Sequence, residues 1–507
     1  LASSAYAPDV ASVNVQTGKY MILEPGAKAS IASLTNNGTL QIRSDDTRRS
    51  SLITDSYSGN PADINVFLSG GGTEEEDNFK WHYISSPVSS LSASVFTGTT
   101  PDLAQYVESR PTLSLMQGWV AYDGYVYSTG LTNGPTFSSL TTGSNGKGYN
   151  YFDYFDHNYS FSGMLNTSDV TATLGFSGNA TLHGYNLLGN PFMSGLDWDY
   201  IVSDVNYPTS TSKGVYFTRD NVQCTYINGV GIPGDVTGII PPMQGFFTKT
   251  YASGNSITLT SAARTHDNIH SYYKGSPAAI PLVRLSLEGA DYTDETVLRF
   301  DEKAKSGFDY DFDMVKLMPS AARTQIYTAL DGINYAINGQ PFPDTILRIP
   351  VAINITSDGM HTITAAAVRE LFWYNVKLID KFTGITTDLK KTPSYSFAAS
   401  KGSVTDRFIL VVSNSLTAVE KETERQDDFR VYQDGDYINI ISRSQRWEGR
   451  TGSVTLNDLT GKLTGRYENI MFRTDNIVQV PAPGHKGVVF VTVKSGAMAQ
   501  TFKAVIR

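Results

Sequence analysis

Gly184-Tyr185-Asn186-Leu187-Leu188-Gly189-Asn190-Pro191-Phe192, running on through Leu196-Asp197-Trp198-Asp199, decides how the chain is read. It opens as an apolar β-type run and breaks at Gly189-Asn190-Pro191. Proline donates no backbone N–H and forces the residue before it out of the helical region, so a strand ends here in a fixed corner. Phe192, Leu196 and Trp198 follow as anchors. In an extended segment Asp197 and Asp199 would turn to the face opposite the Trp198 ring.

The pattern occurs twice. Trp81-His82-Tyr83-Ile84-Ser85-Ser86-Pro87 matches Tyr185 to Pro191 position by position: aromatic, polar, apolar, apolar, small, small or polar, proline. Each copy is followed by a second shared string, Met116-Gln117-Gly118-Trp119 and Met243-Gln244-Gly245-Phe246. Two landmarks in the same order predict a duplicated β unit over residues 79–260. Pro87 and Pro191 should then end corresponding strands, and Trp119 and Phe246 should fill corresponding core positions. Chance recurrence of short strand–turn strings is the alternative.

Working outward, 507 residues exceed a single core and suggest about three domains. Hydrophobic residues are 40% and charged ones 18%, the balance of a globular chain. A net charge of −9 without a basic stripe argues against nucleic acid as a partner. Cys224 is the one cysteine, which excludes an intrachain disulfide and any multi-cysteine metal site. No apolar run approaches the ~20 residues of a membrane span. No signal peptide is visible at Leu1-Ala2-Ser3-Ser4, a start that would fit its removal.

Residues 1–70 read as short strands between polar turns. Asn36-Asn37-Gly38 between apolar runs is a tight-turn signal. The near-regular spacing also fits rungs of a small parallel solenoid, too few to stand alone. Glu74-Glu75-Glu76-Asp77 reads as a solvated loop tip. Tyr149 to Tyr159 is the most aromatic segment. Its rings would either stack on a sugar, with Tyr151, Tyr154, Tyr159 and Trp119 as candidate ligand-binding residues, or form a buried cross-strand ladder. Ser261 to Pro281, with His266 and His270, reads as a linker rather than a metal site. Residues 276–417 carry enough alternating strands for a β-sandwich. Charged Glu420 to Asp428 separates these from a last β domain at 427–507. Ala365 to Trp373 is the main helix candidate.

Catalytic motifs are scarce. Gly229-Val230-Gly231-Ile232-Pro233-Gly234 fits G-x-G-x-x-G, but Pro233 stands where a helix should start and no βαβ pattern surrounds it, so it reads as a turn. Asp309, Asp311 and Asp313 alternate as calcium-loop acids do, yet Met314 and Ser320 stand where an EF-hand needs glycine and glutamate. A looser Ca2+ site with Asp294 or Glu295 is the alternative to a solvated loop. A pair of glycosidase acids is not readable from sequence.

Tyr185 to Asp199 resembles the G-W-N-L-[LV]-G-N-P-[FY]…L-D-W motif of large secreted β proteins of Bacteroidetes-type bacteria. Trp81 to Pro87, Gln117 to Trp119 and Gln244 to Phe246 resemble further elements of those proteins, and Asn36 to Leu40 their solenoid-like rungs. Asp294-Glu295, Phe308-Asp309, Asp313, Leu378 to Gly384 and Asp406-Arg407-Phe408 resemble their sandwich. Val454 to Lys462 resembles the strand–turn of the C-terminal sorting domain of type nine secretion substrates. Gly487-Val488-Val489-Phe490-Val491 departs from that domain's G-x-Y-[IV]-V strand, with Phe for Tyr and one residue more.

The resemblance implies an all-β chain: solenoid-like N-terminal strands and a duplicated β domain within 1–275, a β-sandwich at 276–417 and a C-terminal Ig-like sandwich at 427–507. It further implies an extracellular or cell-surface, outer-membrane-associated, non-enzymatic adhesion protein, whose partner is a surface protein or a glycan. A glycan-binding module and a secreted hydrolase are the alternatives, and fold analogy does not choose among them.

Overall fold

The computed structural model describes residues 9–506 except 73–79, 97–101, 127–131, 179–180, 220–221, 268–279, 290–292, 318–322, 415–427, 485–486 and positions 443, 459, 475 and 497. The acidic run from Glu74 to Asp77, His270, the boundary near Ser276 and the linker up to Asp427 lie outside the described residues. Strand dominates, and among the described residues no helix exceeds five residues. The chain divides into two compact units, Leu1–Ser415 and Leu416–Arg507.

The first unit begins with six strands: β1 (Val10–Val15), β2 (Tyr20–Leu23), β3 (Lys28–Asn36), β4 (Thr39–Ile42), β5 (Ser51–Gly59) and β6 (Ala62–Leu68). β1, β3 and β5 pair in parallel, as do β2, β4 and β6, so successive rungs climb a solenoid. Equivalent residues stack, Val10 on Ile31 on Thr54 and Val13 on Leu34 on Tyr57. Asn36-Asn37-Gly38 is consequently a corner between two sheets rather than a hairpin turn. Asn36 is fully buried there, and its Nδ2 donates to the carbonyls of Asn60 and Pro61 at 3.1 and 3.2 Å.

The duplicated unit shows the expected repeat in its ladders. One sheet runs Lys80–Ile84, Tyr149–Asp153, Asp102–Tyr106, Trp119–Ala121; the other runs Tyr185–Gly189, Gly245–Lys249, Val215–Arg219, Val222–Ile227, with Val230–Ile232 added at its edge. In chain order both read first, fourth, second, third. Beyond each proline comes a short strand, Leu91–Ser92 or Gly195–Asp197, and then a short helix capped by Ser92 or Asp197. Pro87 and Pro191 do follow corresponding strands.

The second landmark needs correction. Phe246 pairs with Leu188 as Tyr149 pairs with Ile84, so Tyr149 is the counterpart of Phe246, whereas Trp119 opens the third strand. The two Met-Gln-Gly strings serve different local tasks. Gln117 Oε1 accepts the N–H groups of Thr112 and Leu113 at 2.8 Å each, closing a 3-10 turn. Gln244 Nε2 instead donates to the carbonyls of Tyr83 and Gly245 at 2.8 and 2.9 Å. A primary amide offers both a donor and an acceptor, which lets one string fit two loops.

The halves interlock at their corners. Ile84 bridges to Gln244 while Leu188 bridges to Lys147, an exchange between equivalent positions. Ser85 Oγ donates to the Asn190 carbonyl at 2.7 Å, and a Cβ on Gly189 would lie 2.3 Å from that of Ser85. Glycine at 189 is therefore required by the approach of the partner corner.

Residues 282–414 form one hydrogen-bonded sheet of eleven strands rather than two separate sheets. It closes over its core, since Phe397 on one edge strand and Phe408 near the other lie 4.7 Å apart. Asp380, Tyr395 and Arg407 staple the seam. Arg407 Nη2 and Tyr395 Oη reach Asp380 Oδ2 at 2.7 and 2.8 Å. Burial alone would raise the Asp380 carboxyl, but these two donors hold it down at about 2. The helix expected at Ala365 to Trp373 is absent: Gly359–Arg369 is a strand, paired with Leu282–Glu288 on one side. Three consecutive alanines carry strong helix propensity, and tertiary ladder pairing overrides it.

Residues on both sides of 276 share one core. Tyr185, Tyr216 and Ile227 pack with Leu282, Val297 and Met314. Two arginines of the eleven-stranded sheet reach across, Arg284 Nη2 to the Gly231 carbonyl at 2.8 Å and Arg299 Nη1 to that of Asn228 at 2.7 Å. The second unit holds two antiparallel sheets, of three and four strands, around Trp447, Phe429 and Phe472. Asp428 accepts from Trp447 Nε1 at 2.7 Å and Gln500 Nε2 at 2.9 Å inside it.

The corrected equivalence makes a stability prediction. Phe246 and Tyr149 are almost completely buried, whereas Trp119 is half-buried. Phe246→Ala and Tyr149→Ala are expected to cost about 3–5 kcal/mol each in denaturant unfolding, and Trp119→Ala clearly less.

Candidate interaction surface

The aromatic run folds as strand Tyr149–Asp153, a turn, and strand His157–Gly163. Alternation turns Tyr149 and Tyr151 into the core, where both are at most 1% exposed. Tyr151 Oη lies 2.7 Å from Tyr159 Oη, and Phe96 packs edge-on against both rings. Tyr154 is half-buried with its ring edge-on to Phe152, and Trp119 lies among Tyr83, Tyr106 and Phe247. Tyr151 and Tyr159 thus meet in the core from strands of two different sheets, neither an open row nor a cross-strand ladder, and Tyr151 has no face for a sugar. A buried row and an exposed one share the same spacing, so the sequence did not separate them.

The three aspartates are also engaged. Asp313 Oδ1 and Oδ2 accept the N–H groups of Gly339 and Asp309 at 2.6 and 2.7 Å. Burial still pushes the Asp313 carboxyl up to about 7 against those two donors. Asp309 Oδ1 accepts the Asp311 N–H at 3.0 Å, and Asp311 pairs with Lys213 at 3.2 Å. Asp294 is taken by Lys316 and by the Ile326 N–H at 2.8 Å. Among the described residues no three metal-ligating side chains converge. What the loop does is dock: Tyr310 stacks on Tyr251 at 4.5 Å and its carbonyl accepts the Lys213 N–H at 2.9 Å.

His266 serves the same kind of task. Its ring nitrogens lie 2.8 Å from Ser51 Oγ and 2.9 Å from Ser30 Oγ, tying the segment after residue 260 to β3 and β5. Burial, helped by the Lys28 charge, pushes its pKa down to about 4.

Large apolar side chains do reach solvent elsewhere. Phe372 and Trp373 are 73% and 68% exposed on the turn that follows Gly359–Arg369. Glu370 takes a left-handed φ of 53° at this turn, and Lys390 Nζ donates to the Leu371 carbonyl at 2.6 Å. Beside it runs a groove of about 400 Å³ lined by residues 365–368, 370–372 and 389–390. The partner strand Ser394–Ala399 pairs only as far as Thr364, which leaves the groove along the remainder of the strand. The sequence reading placed these two rings at the end of a helix and so missed them; Leu371-Phe372-Trp373 beside the acidic Glu370 was the available signal.

Residues 2–412 match the family described as a domain of unknown function (DUF8693). The chain belongs to this family. It is also 25% identical over 287 residues to the minor fimbrium subunit Mfa5 of Porphyromonas gingivalis, a match covering 50% of this chain and 23% of that protein. The chain thus spans about a quarter of the length of that curated relative. A solved structure titled biofilm associated protein, BSP domain, aligns over 87% of this chain and 98% of its own, at 8% identity and a TM-score of 0.12. That likeness is too slight to bear on the fold. No helix among the described residues is long and apolar enough to cross a membrane.

The His266 geometry carries a pH prediction. Its folded pKa lies below the ordinary value of 6.5, so the unfolded chain binds more protons between the two. The stabilisation is fully present above pH 6.5 and is lost as pH falls through about 4. Unfolding midpoints measured from pH 7 to pH 4 should fall less steeply for His266→Gln than for the wild type.

Proposed function

We propose that this chain belongs to an extracellular, non-catalytic surface protein that works by adhesion or structural interaction with a surface protein or glycan. The observation that carries the reading is the placement of Phe372 and Trp373: two large, mostly exposed rings on a turn beside a groove. Rigid aromatics offer contact area at low entropy cost, and contiguous exposed apolar surface marks interaction sites. The name of the fimbrial relative supports a surface setting. So does the solenoid-plus-sheet construction, in which His266, Asp294, Asp309, Asp311 and Asp313 tie segments of the fold together.

In the expected experiment, immobilised wild-type chain retains target cells or lights a glycan array. A Phe372→Ala/Trp373→Ala variant loses most of that signal while its unfolding midpoint moves by less than about 1 kcal/mol, because the rings are surface groups. Turnover of polysaccharide or peptide by the purified chain would refute the reading.

A second reading concerns export. The Val454 to Lys462 turn is held by its own side chains, Asp458 Oδ1 accepting the N–H groups of Thr460 and Lys462 at 2.8 and 3.0 Å and Asn457 Nδ2 donating to the Gly461 carbonyl at 3.0 Å. A rigid exposed turn suits a domain read by a secretion machine. Removing residues 428–507 in a type-nine-secreting bacterium is expected to keep the protein inside the cell; unchanged surface labelling would reject this reading.

A further inference from the structure

Two side chains 22 residues apart in sequence meet inside the first unit. Lys316 follows the short strand Met314–Val315, and Asp294 lies near the start of the strand Thr293–Phe300. Lys316 Nζ reaches Asp294 Oδ1 at 2.7 Å and Oδ2 at 2.5 Å, with side-chain exposures of only 8% and 4%. The pairs Lys213–Asp311 and Lys391–Asp388 are far more open to water. Arg284–Glu295 and Arg407–Asp380 are comparably shielded, but a guanidinium stays protonated, whereas a lysine amine is a nucleophile once it sheds its proton.

The surroundings of the pair fit a neutral product as well as they fit two ions. Oδ2 accepts the Ile326 N–H at 2.8 Å, and Nζ also donates to the Glu295 carbonyl at 3.1 Å. An amide linking Nζ to Cγ has one carbonyl oxygen and one N–H, and these two backbone groups already partner both. Beside the pair lies a cavity of about 20 Å³, lined by Gln223, Thr225 and Gln325 as well as Asp294 and Lys316, with room for one water. Burying two ions carries a desolvation cost that a neutral amide does not. Holding amine and carboxyl in contact also makes their condensation unimolecular.

We propose that Lys316 and Asp294 are a self-modification site, at which the folded chain joins the two side chains by an amide bond. The ammonium passes one proton to Oδ1, leaving an amine and a carboxylic acid. Nζ attacks Cγ, and the negative charge that gathers on Oδ2 is met by the Ile326 N–H. The Cγ–Oδ1 bond then breaks, and Oδ1 departs with a second Nζ proton as water into the cavity. One N–H remains on Nζ, donated to the Glu295 carbonyl. The condensation needs no oxidant, reductant or second substrate. The bond closes a loop over residues 294–316, which carries the Tyr310 ring stacked on Tyr251, and so braces that contact covalently. This goes beyond the adhesive reading, which survives if the bond is absent.

The test is the mass of the purified, folded full chain after denaturation, which separates an ion pair but not an amide. The expected mass is that of the sequence less one water. Tryptic digestion should then yield a branched peptide joining residues 285–299 to residues 306–323, because an acylated Lys316 is no longer cleaved. Lys316→Arg keeps the cation, forms no bond and is expected at its full sequence mass. A wild-type chain at full sequence mass overturns the proposal. So does a water loss that the digest places at other residues, or one that Lys316→Arg retains.

Discussion

Asn190 is the residue through which the first unit is held together. Fully buried, it accepts the Phe192 N–H at 3.0 Å and donates to the carbonyls of Ser194, Ile240 and Pro241 at 2.8, 3.1 and 3.0 Å. Its own N–H reaches Gln244 at 3.0 Å, and its carbonyl receives Ser85 Oγ from the other half. A corner ended by proline leaves backbone groups that no ladder satisfies, and an unsatisfied buried group costs about 1–3 kcal/mol. One amide side chain meets four of those needs. The second half can therefore turn sharply while packing tightly on the first.

Charged residues follow the same logic further along. Arg284 and Arg299 spend donors on carbonyls of the duplicated unit, and Arg407 spends its donors on Asp380 of the paired neighbouring strand and on the Ala398 carbonyl across the seam of the closed sheet. Arg284 and Arg299 are buried and Arg407 half-buried, and each has guanidinium donors placed on such acceptors, which offsets part of the cost of desolvating the charge. Arg407 also lies 4.9 Å from the Phe397 ring and 5.0 Å from that of Phe408. The strings Leu378 to Gly384 and Asp406-Arg407-Phe408 lie on paired neighbouring strands on one side of this seam and face Tyr395 on the other. Such motifs mark closure of the fold.

The candidate chemistry moved accordingly. Asp309 and Asp313 are alternate acids, as in a cation loop, but their carboxylates bind backbone N–H groups of their own loop and of Gly339. Tyr151 and Tyr159 bind each other. Phe372 and Trp373, by contrast, are exposed on a turn. Those two rings carry no motif, since the surrounding fold sets the exposure of a ring on a turn.

The sequence by itself determined the β class, the corners at Pro87 and Pro191, the near-regular rungs and the duplicated order, because proline geometry, turn chemistry and period-two patterning act over a few residues. Tertiary structure decided which face each aromatic takes, that Ala365 to Arg369 is strand rather than helix, that Asn36-Asn37-Gly38 is a corner between sheets, and that Tyr149 rather than Trp119 answers Phe246. Each of these depends on a partner strand tens of residues away, and local propensity is weaker than a full ladder of hydrogen bonds and the burial of a ring.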